Sequence, residues 1–118
     1  MTKTMKVVCY EKEDGDSPVR EFIKQQDKKM RSKILLTMKL LEEYGTKIDR
    51  KYSKHLNDGI FELRVFQSSN ITRILYFFIK GDVAVLTNGF VKKTMFAPRR
   101  EIELAKKYRK DFLSEEGK

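Results

Sequence analysis

Four cations sit inside or directly after apolar runs in the second half of the chain. Arg64 lies in Gly59-Ile-Phe-Glu-Leu-Arg-Val-Phe66, Arg73 in Thr72-Arg-Ile-Leu-Tyr-Phe-Phe78, and Lys92 and Lys93 in Gly89-Phe-Val-Lys-Lys-Thr94. An apolar strand holds a cation only where one face opens onto solvent or onto an anion, because a stranded buried charge is strongly destabilising. Three such strands side by side would gather their cations into one pocket, and a pocket of that kind suits a phosphodiester. A guanidinium grips two phosphate oxygens with a planar fork and stabilises charge that develops at phosphorus. An ammonium crowded by other cations gives up its proton more readily and can then serve as base or acid.

The surrounding sequence supplies elements that would position these residues. Residues 5–11 read as a first strand. The turn Glu13-Asp-Gly-Asp16 follows, and Ser17-Pro18 has the form of a helix start, with Ser as cap and Pro in the first turn. Helices are expected over 18–26, with Val19, Phe22 and Ile23 on one face, and over 28–44. In the second, Met30, Ile34, Met38, Leu41 and Tyr44 recur at helical spacing and Gly45 stands at the C-terminal cap. Residues 46–58, which hold Lys47, Arg50, Lys51, Lys54 and the only histidine, His55, read as a long polar loop. Strands at about 60–67, 70–80 and 82–91 are separated by Gln67-Ser-Ser-Asn70 and Lys80-Gly-Asp82, turns short enough to make them antiparallel neighbours. After Pro98, the residues Ile102, Ala105, Tyr108 and Phe112 give a last amphipathic helix. The order β-α-α-β-β-β-α is that of a single α+β domain, with a twisted, mainly antiparallel sheet, a two-helix hairpin on one face and a C-terminal helix.

Composition narrows the partners. Hydrophobic residues make up 40% of the 118 and charged residues 36%, which is globular rather than disordered. Lys and Arg outnumber Asp and Glu by 26 to 17, a net charge of +9, and this favours a polyanion: RNA, DNA or an acidic protein. Solubility alone is the bland explanation. A single cysteine, Cys9, excludes an internal disulfide and any multi-cysteine metal site, and inside Val7-Val8-Cys9-Tyr10 it reads as a small buried hydrophobe. No apolar run is long enough to span a bilayer and no signal-peptide core is visible, so a cytoplasmic protein is expected.

The element order, together with Phe61-Glu-Leu-Arg64, Arg73-Ile-Leu-Tyr76 and Gly89-Phe-Val-Lys-Lys-Thr94, resembles the RelE/ParE superfamily of bacterial toxins, and within it the phage-related HigB-like group. The resemblance spans roughly Met5 to Phe112 and is most specific in the C-terminal half, where several motifs recur in order. It implies a RelE-like fold and the toxin half of a type II toxin–antitoxin pair, a ribosome-dependent mRNA endonuclease that stops translation. The partners it implies are a HigA-like helix-turn-helix antitoxin, the ribosome and mRNA, with DNA reached only through the antitoxin. On the matching positions it assigns catalytic roles to Arg64, Arg73, Lys92 and Lys93. The chain departs from better-studied RelE enzymes at Glu62, where they carry a lysine, and at Pro98-Arg99, where they carry a tyrosine.

RNA cleavage needs a base for the 2′-hydroxyl, stabilisation of the pentavalent phosphorus and an acid for the leaving oxygen. One histidine excludes a two-histidine acid/base pair, and no Asp/Glu/His cluster at metal-ligand spacing is visible, so electrostatic catalysis without metal or other cofactor is expected. His55 joins the set if its segment folds over the pocket. Lys51, Lys54 and Arg99 are candidates for RNA contacts, and Phe90 or Phe66 for a stacking platform. The structural readings stay open beside these: Arg64 and Arg73 paired with Glu62 or Asp82, Phe90 in the core, His55 and the Lys51–Lys54 run merely solvated. Two rival functions also stay open, a ParE-like inhibitor of DNA gyrase and a basic nucleic-acid-binding module without catalysis.

Overall fold

The computed structural model describes residues 4–91 and 97–116. Chain order is β1 (Lys6–Cys9), α1 (Pro18–Lys24), α2 (Lys28–Tyr44), a 3-10 turn (Gly45–Lys47), β2 (Ser53–Asn57), β3 (Ile60–Gln67), β4 (Asn70–Ile79), β5 (Val83–Val91) and α3 (Arg99–Glu116). The strands form one mixed sheet in the order β1-β5-β4-β3-β2, in which only β1 and β5 are parallel. The α+β class and the antiparallel β3-β4-β5 meander are as the sequence implied. Lys92 and Lys93 lie outside the described residues.

Local chemistry starts the helices where expected. Ser17 caps α1 by accepting the Arg20 N–H, and the Asp27 carboxylate caps α2 by accepting the Met30 N–H at 2.8 Å. The helix hairpin covers one face of the sheet. Val19, Met30, Ile34 and Leu41 meet Leu63, Val65, Ile74, Tyr76, Ala84 and Leu86 in a first core, with Phe22 and Met38 packed against it. Burial of Ile34 or Leu41 contributes about 1.5–3 kcal/mol each. Tyr44 is exposed instead of lying on this stripe. The position four residues after Leu41 is the one that faces inward, and it is the buried Gly45. Helix α3 packs on the opposite face, where Ala105 meets Ile60, Leu75, Phe77, Val85 and Tyr10 in a second core.

The segment read as a loop contains a fifth strand. Ser53–Asn57 pairs antiparallel with β3 at the sheet edge, and Asp58 and Gly59, both with positive φ (51° and 80°), make the tight turn between them. A hairpin turn with two positive φ values matches the natural twist of the strands, and Asp-Gly is among the pairs that favour it. Polar side chains hid the strand: Lys54 and His55 belong to an edge, where charge discourages further pairing.

One irregularity decides which side chains share a face. Between β4 and β5 the register shifts after Leu75, so that Leu86 pairs with Tyr76 but Asn88 pairs with Leu75. Thr87 is the extra residue, and its hydroxyl donates to the Leu75 carbonyl at 3.1 Å. A bulge of this kind reverses the alternation beyond it. Ala84 and Leu86 face the helix hairpin, whereas Phe90 packs with the α3 core.

Candidate functional site

Cross-strand register assembles the site on the α3 face. Arg64 on β3 pairs with Arg73 on β4, which pairs in turn with Phe90 on β5; in the next row Lys54, Glu62, Leu75 and Asn88 stand side by side. Lys54, Arg64, Arg73 and Phe90 therefore share one face of four adjacent strands. Like charges directly opposite one another repel, and the fold compensates with a carboxylate. Glu62 is fully buried; one oxygen accepts from Arg73 Nη1 at 2.6 Å and the other from Arg64 Nε at 3.0 Å. One carboxylate between two guanidinium groups leaves the trio with an excess positive charge, and Lys54 on the neighbouring strand adds to it.

The two arginines differ in access. The Arg73 side chain is 3% exposed and that of Arg64 26%. Arg73 is thus buried beneath the cluster, and Arg64 is the more accessible of the two guanidinium groups. The expected open cluster of cations is a partly closed one in which Glu62 already satisfies part of each fork. Glu62 was recognisable from sequence as a possible partner two residues from Arg64, a spacing that places both on one face of a strand.

The other candidate residues scatter. His55 pairs with Phe61 and so belongs to the opposite face of the sheet. Its Nε2 accepts the Gly59 N–H at 3.2 Å and its ring stands edge-on to Phe61 at 5.0 Å. It does not converge with Arg73. Lys51 extends over the rings of Tyr52 and Phe66, 5.5 and 6.0 Å from their centroids, and lines a groove shared with Leu36 and Leu40 of α2. Phe90 is half-buried against the α3 core, so only part of its ring borders the site. Arg99 opens α3 and is exposed. Asn88 anchors that end of the helix by donating to the backbone carbonyl and the carboxylate of Glu101, at 3.2 and 3.1 Å.

Further contacts lock α3 over the sheet. The Tyr10 hydroxyl donates to Asp111 at 2.5 Å while its ring stacks on Tyr108 with centroids 4.7 Å apart. At the other edge Arg109 Nη1 donates to the Asp58 carbonyl at 2.5 Å. Burial pushes the Cys9 thiol up from its ordinary value, and the nearby Arg20 guanidinium only partly offsets the rise. Among the described residues no group of three or more His, Cys, Asp or Glu could hold a metal ion, and no helix is long and apolar enough to cross a membrane.

A profile of phage-derived Gp49-like proteins (DUF891) matches residues 21–110, most of the chain and all four strands that carry the site. The protein belongs to the Gp49-like family. That family is associated with RelE-like, toxin-like proteins, and a Gp49-like protein with this sheet is compatible with a RelE-like fold. No curated protein matches the chain.

Proposed function

We propose that this Gp49-like protein is the toxin of a type II toxin–antitoxin pair, of the HigB-like group, and that it cleaves ribosome-bound mRNA. The observation that carries this reading is the Arg64–Arg73 pair at the centre of a toxin-like fold, two forked cations held on one face with Lys54 beside them. Phosphoryl chemistry with no metal relies on positioning and on charge stabilisation, and guanidinium groups supply both. Arg64, the more exposed of the pair, meets the scissile phosphate first. Arg73 lies behind it, aligned by Glu62, and stabilises charge as it builds on the phosphorane oxygens. Lys92 and Lys93, which follow β5 in sequence, enter this scheme through the family resemblance and supply the proton transfer.

Glu62 gives the site a feature of its own. Its carboxylate holds the positions on Arg64 and Arg73 that a phosphate would otherwise compete for, which prevents two opposed cations from pushing the strands apart while the site is empty. A HigA-like antitoxin with a helix-turn-helix domain would silence the enzyme, the ribosome would present the message, and the site of action would be the cytoplasm. Expression of the chain alone followed by mapping of the 5′ ends of cellular mRNA tests the reading. New ends within translated codons, with rapid loss of translation, are expected. Loss of DNA supercoiling with intact message would point to gyrase instead.

A further inference from the structure

Mainly on the face of the sheet opposite Arg73 lies a basic concavity, a groove of about 710 Å³. Its rim carries Lys47, Arg50, Lys54, His55 and Arg64, and among the described residues no carboxylate lines it. Its floor is aromatic. Phe61 lies 5.5 Å from Tyr76 and 4.9 Å from Phe78 between ring centroids, and the exposed His55 ring stands edge-on to Phe61. Phe61 and Phe78 are half-buried, so each keeps surface for a ligand; Tyr76 is fully buried beneath them and hydrogen-bonded to Ser53.

The groove is joined to the guanidinium pair. Register assigns Lys54 and Arg64 to the Arg73 face, yet both also line the groove, whose other wall comes from the opposite face through Phe61 and His55. Lys54 belongs to β2, the outermost strand of the sheet. A flexible polyanion lying over Arg64 is therefore already at the groove, with Lys54 beside it.

We propose that this groove binds single-stranded RNA next to the scissile phosphate, with a base against Phe61, Phe78 and His55 and the adjoining phosphates on Arg50, Lys47 and Lys54. Single-stranded recognition combines these two elements, aromatic surface for the bases and a cationic track for the backbone. The volume lies within the range of pockets that enclose small ligands, enough for a nucleotide rather than a helix. An acidic peptide would find the same cations but would have no use for a clustered aromatic floor that leads to a phosphate-binding pair. The placement next to a scissile phosphate rests on the nuclease reading above, whereas binding in the groove does not.

The test uses the intact protein without ribosomes and a short thiouridine-containing single-stranded RNA, crosslinked by light and mapped by mass spectrometry. Crosslinks to the peptide that holds His55 and Phe61, or to that holding Phe78, are expected. The double variant Lys47→Ala/Arg50→Ala, which alters two exposed side chains, should weaken binding of the same RNA with a salt slope reduced by about one to two. Phe61→Leu, which keeps the core filled, should weaken it about tenfold. Crosslinks confined to other surfaces, unchanged affinity in both variants, or binding of an acidic peptide with none of RNA would each overturn the proposal. If the groove crosslinks as expected while the wild type leaves ribosome-bound message intact, the nuclease reading falls and the groove stands; cleaved message with no groove crosslinks gives the reverse.

Discussion

Arg64 and Arg73 face each other directly across the β3–β4 pair, and Glu62 joins them, one carboxylate oxygen to each guanidinium. The fully buried Glu62 carboxylate between them offsets the repulsion of two cations at one cross-strand position. Each member of the trio therefore has a structural share in the fold, beside the role in the chemistry proposed for the two arginines.

Loss of the carboxylate should be costly. In Glu62→Ala two guanidinium groups remain opposed without the carboxylate that bridges them, and a cost of about 3–5 kcal/mol is expected, as for a broken buried pair. Urea unfolding measures it. Removing Arg73 as well, as Arg73→Met, should recover part of the loss, so that the two changes are non-additive. A Glu62→Ala chain that unfolds at the wild-type urea concentration would show that the bridge carries no weight.

Arginine at position 73 should be irreplaceable in catalysis. Arg73→Ala is expected to lower single-turnover cleavage of ribosome-bound message by about 10²–10³-fold. Arg73→Lys retains the charge but cannot hold Glu62 and a phosphate with one planar fork, and it should also fail. Near-ultraviolet circular dichroism on each variant separates lost chemistry from lost fold. Of Lys92 and Lys93, at least one should be essential, so near-wild-type rates in both Arg73→Ala and Lys92→Ala/Lys93→Ala would remove the catalytic assignment.

Gly89 has a packing reason to be glycine. A Cβ built there would stand 2.3 Å from Cδ2 of Phe22 on α1. Gly89→Ala therefore has to displace a ring wedged between α1 and the sheet, at a cost of about 1–3 kcal/mol. Thermal unfolding is the measurement, and combining the change with Phe22→Leu should relieve the penalty. A Gly89→Ala chain as stable as the wild type would mean that α1 moves away freely.

Alkali should weaken the fold through its buried tyrosines. Burial pushes the Tyr76 hydroxyl from 10.0 up to about 12, and burial together with Asp111 raises Tyr10 as well. A phenol whose pKa is higher in the folded state keeps its full contribution below the unfolded value and loses it as pH rises. Stability should accordingly be flat up to about pH 10 and fall between there and about pH 12. Tyr76→Phe should flatten part of that fall, as read by urea unfolding across the pH series. An unchanged alkaline slope in both Tyr76→Phe and Tyr10→Phe would assign it to other groups.

The proposed partner has a test of its own. With a net charge of +9, the protein's surface would be most readily covered by an acidic or amphipathic segment of the proposed antitoxin, with association that slows as salt rises. Co-expression with a neighbouring gene for a small helix-turn-helix protein should restore growth and give a complex that survives purification. Undiminished toxicity with both proteins present would dissolve the pairing.

Position along the chain settles a good deal without tertiary structure. Ser17 and Asp27 start their helices through their own side chains, Ile34 and Leu41 fall on one face by helical spacing, and the short β-rich runs around Arg64 and Arg73, bounded by turn residues, read as strands. The helix starts and the helical stripe are local effects, decided by neighbours within a turn. The Asp58-Gly59 turn was equally local and could have exposed β2, but the polar side chains of an edge strand carry no hydrophobic alternation to read. Other features needed the assembled sheet. Strict alternation from Ala84 would put Phe90 with Leu86, and only the extra residue at Thr87 turns it to the side of Arg73. His55 and Lys54 are adjacent in sequence, and the pairing of β2 with β3 sends them to opposite faces. Whether Arg64 and Arg73 meet at all depends on the register of two strands, which is fixed by packing on both sheet faces and lies beyond the reach of any single segment.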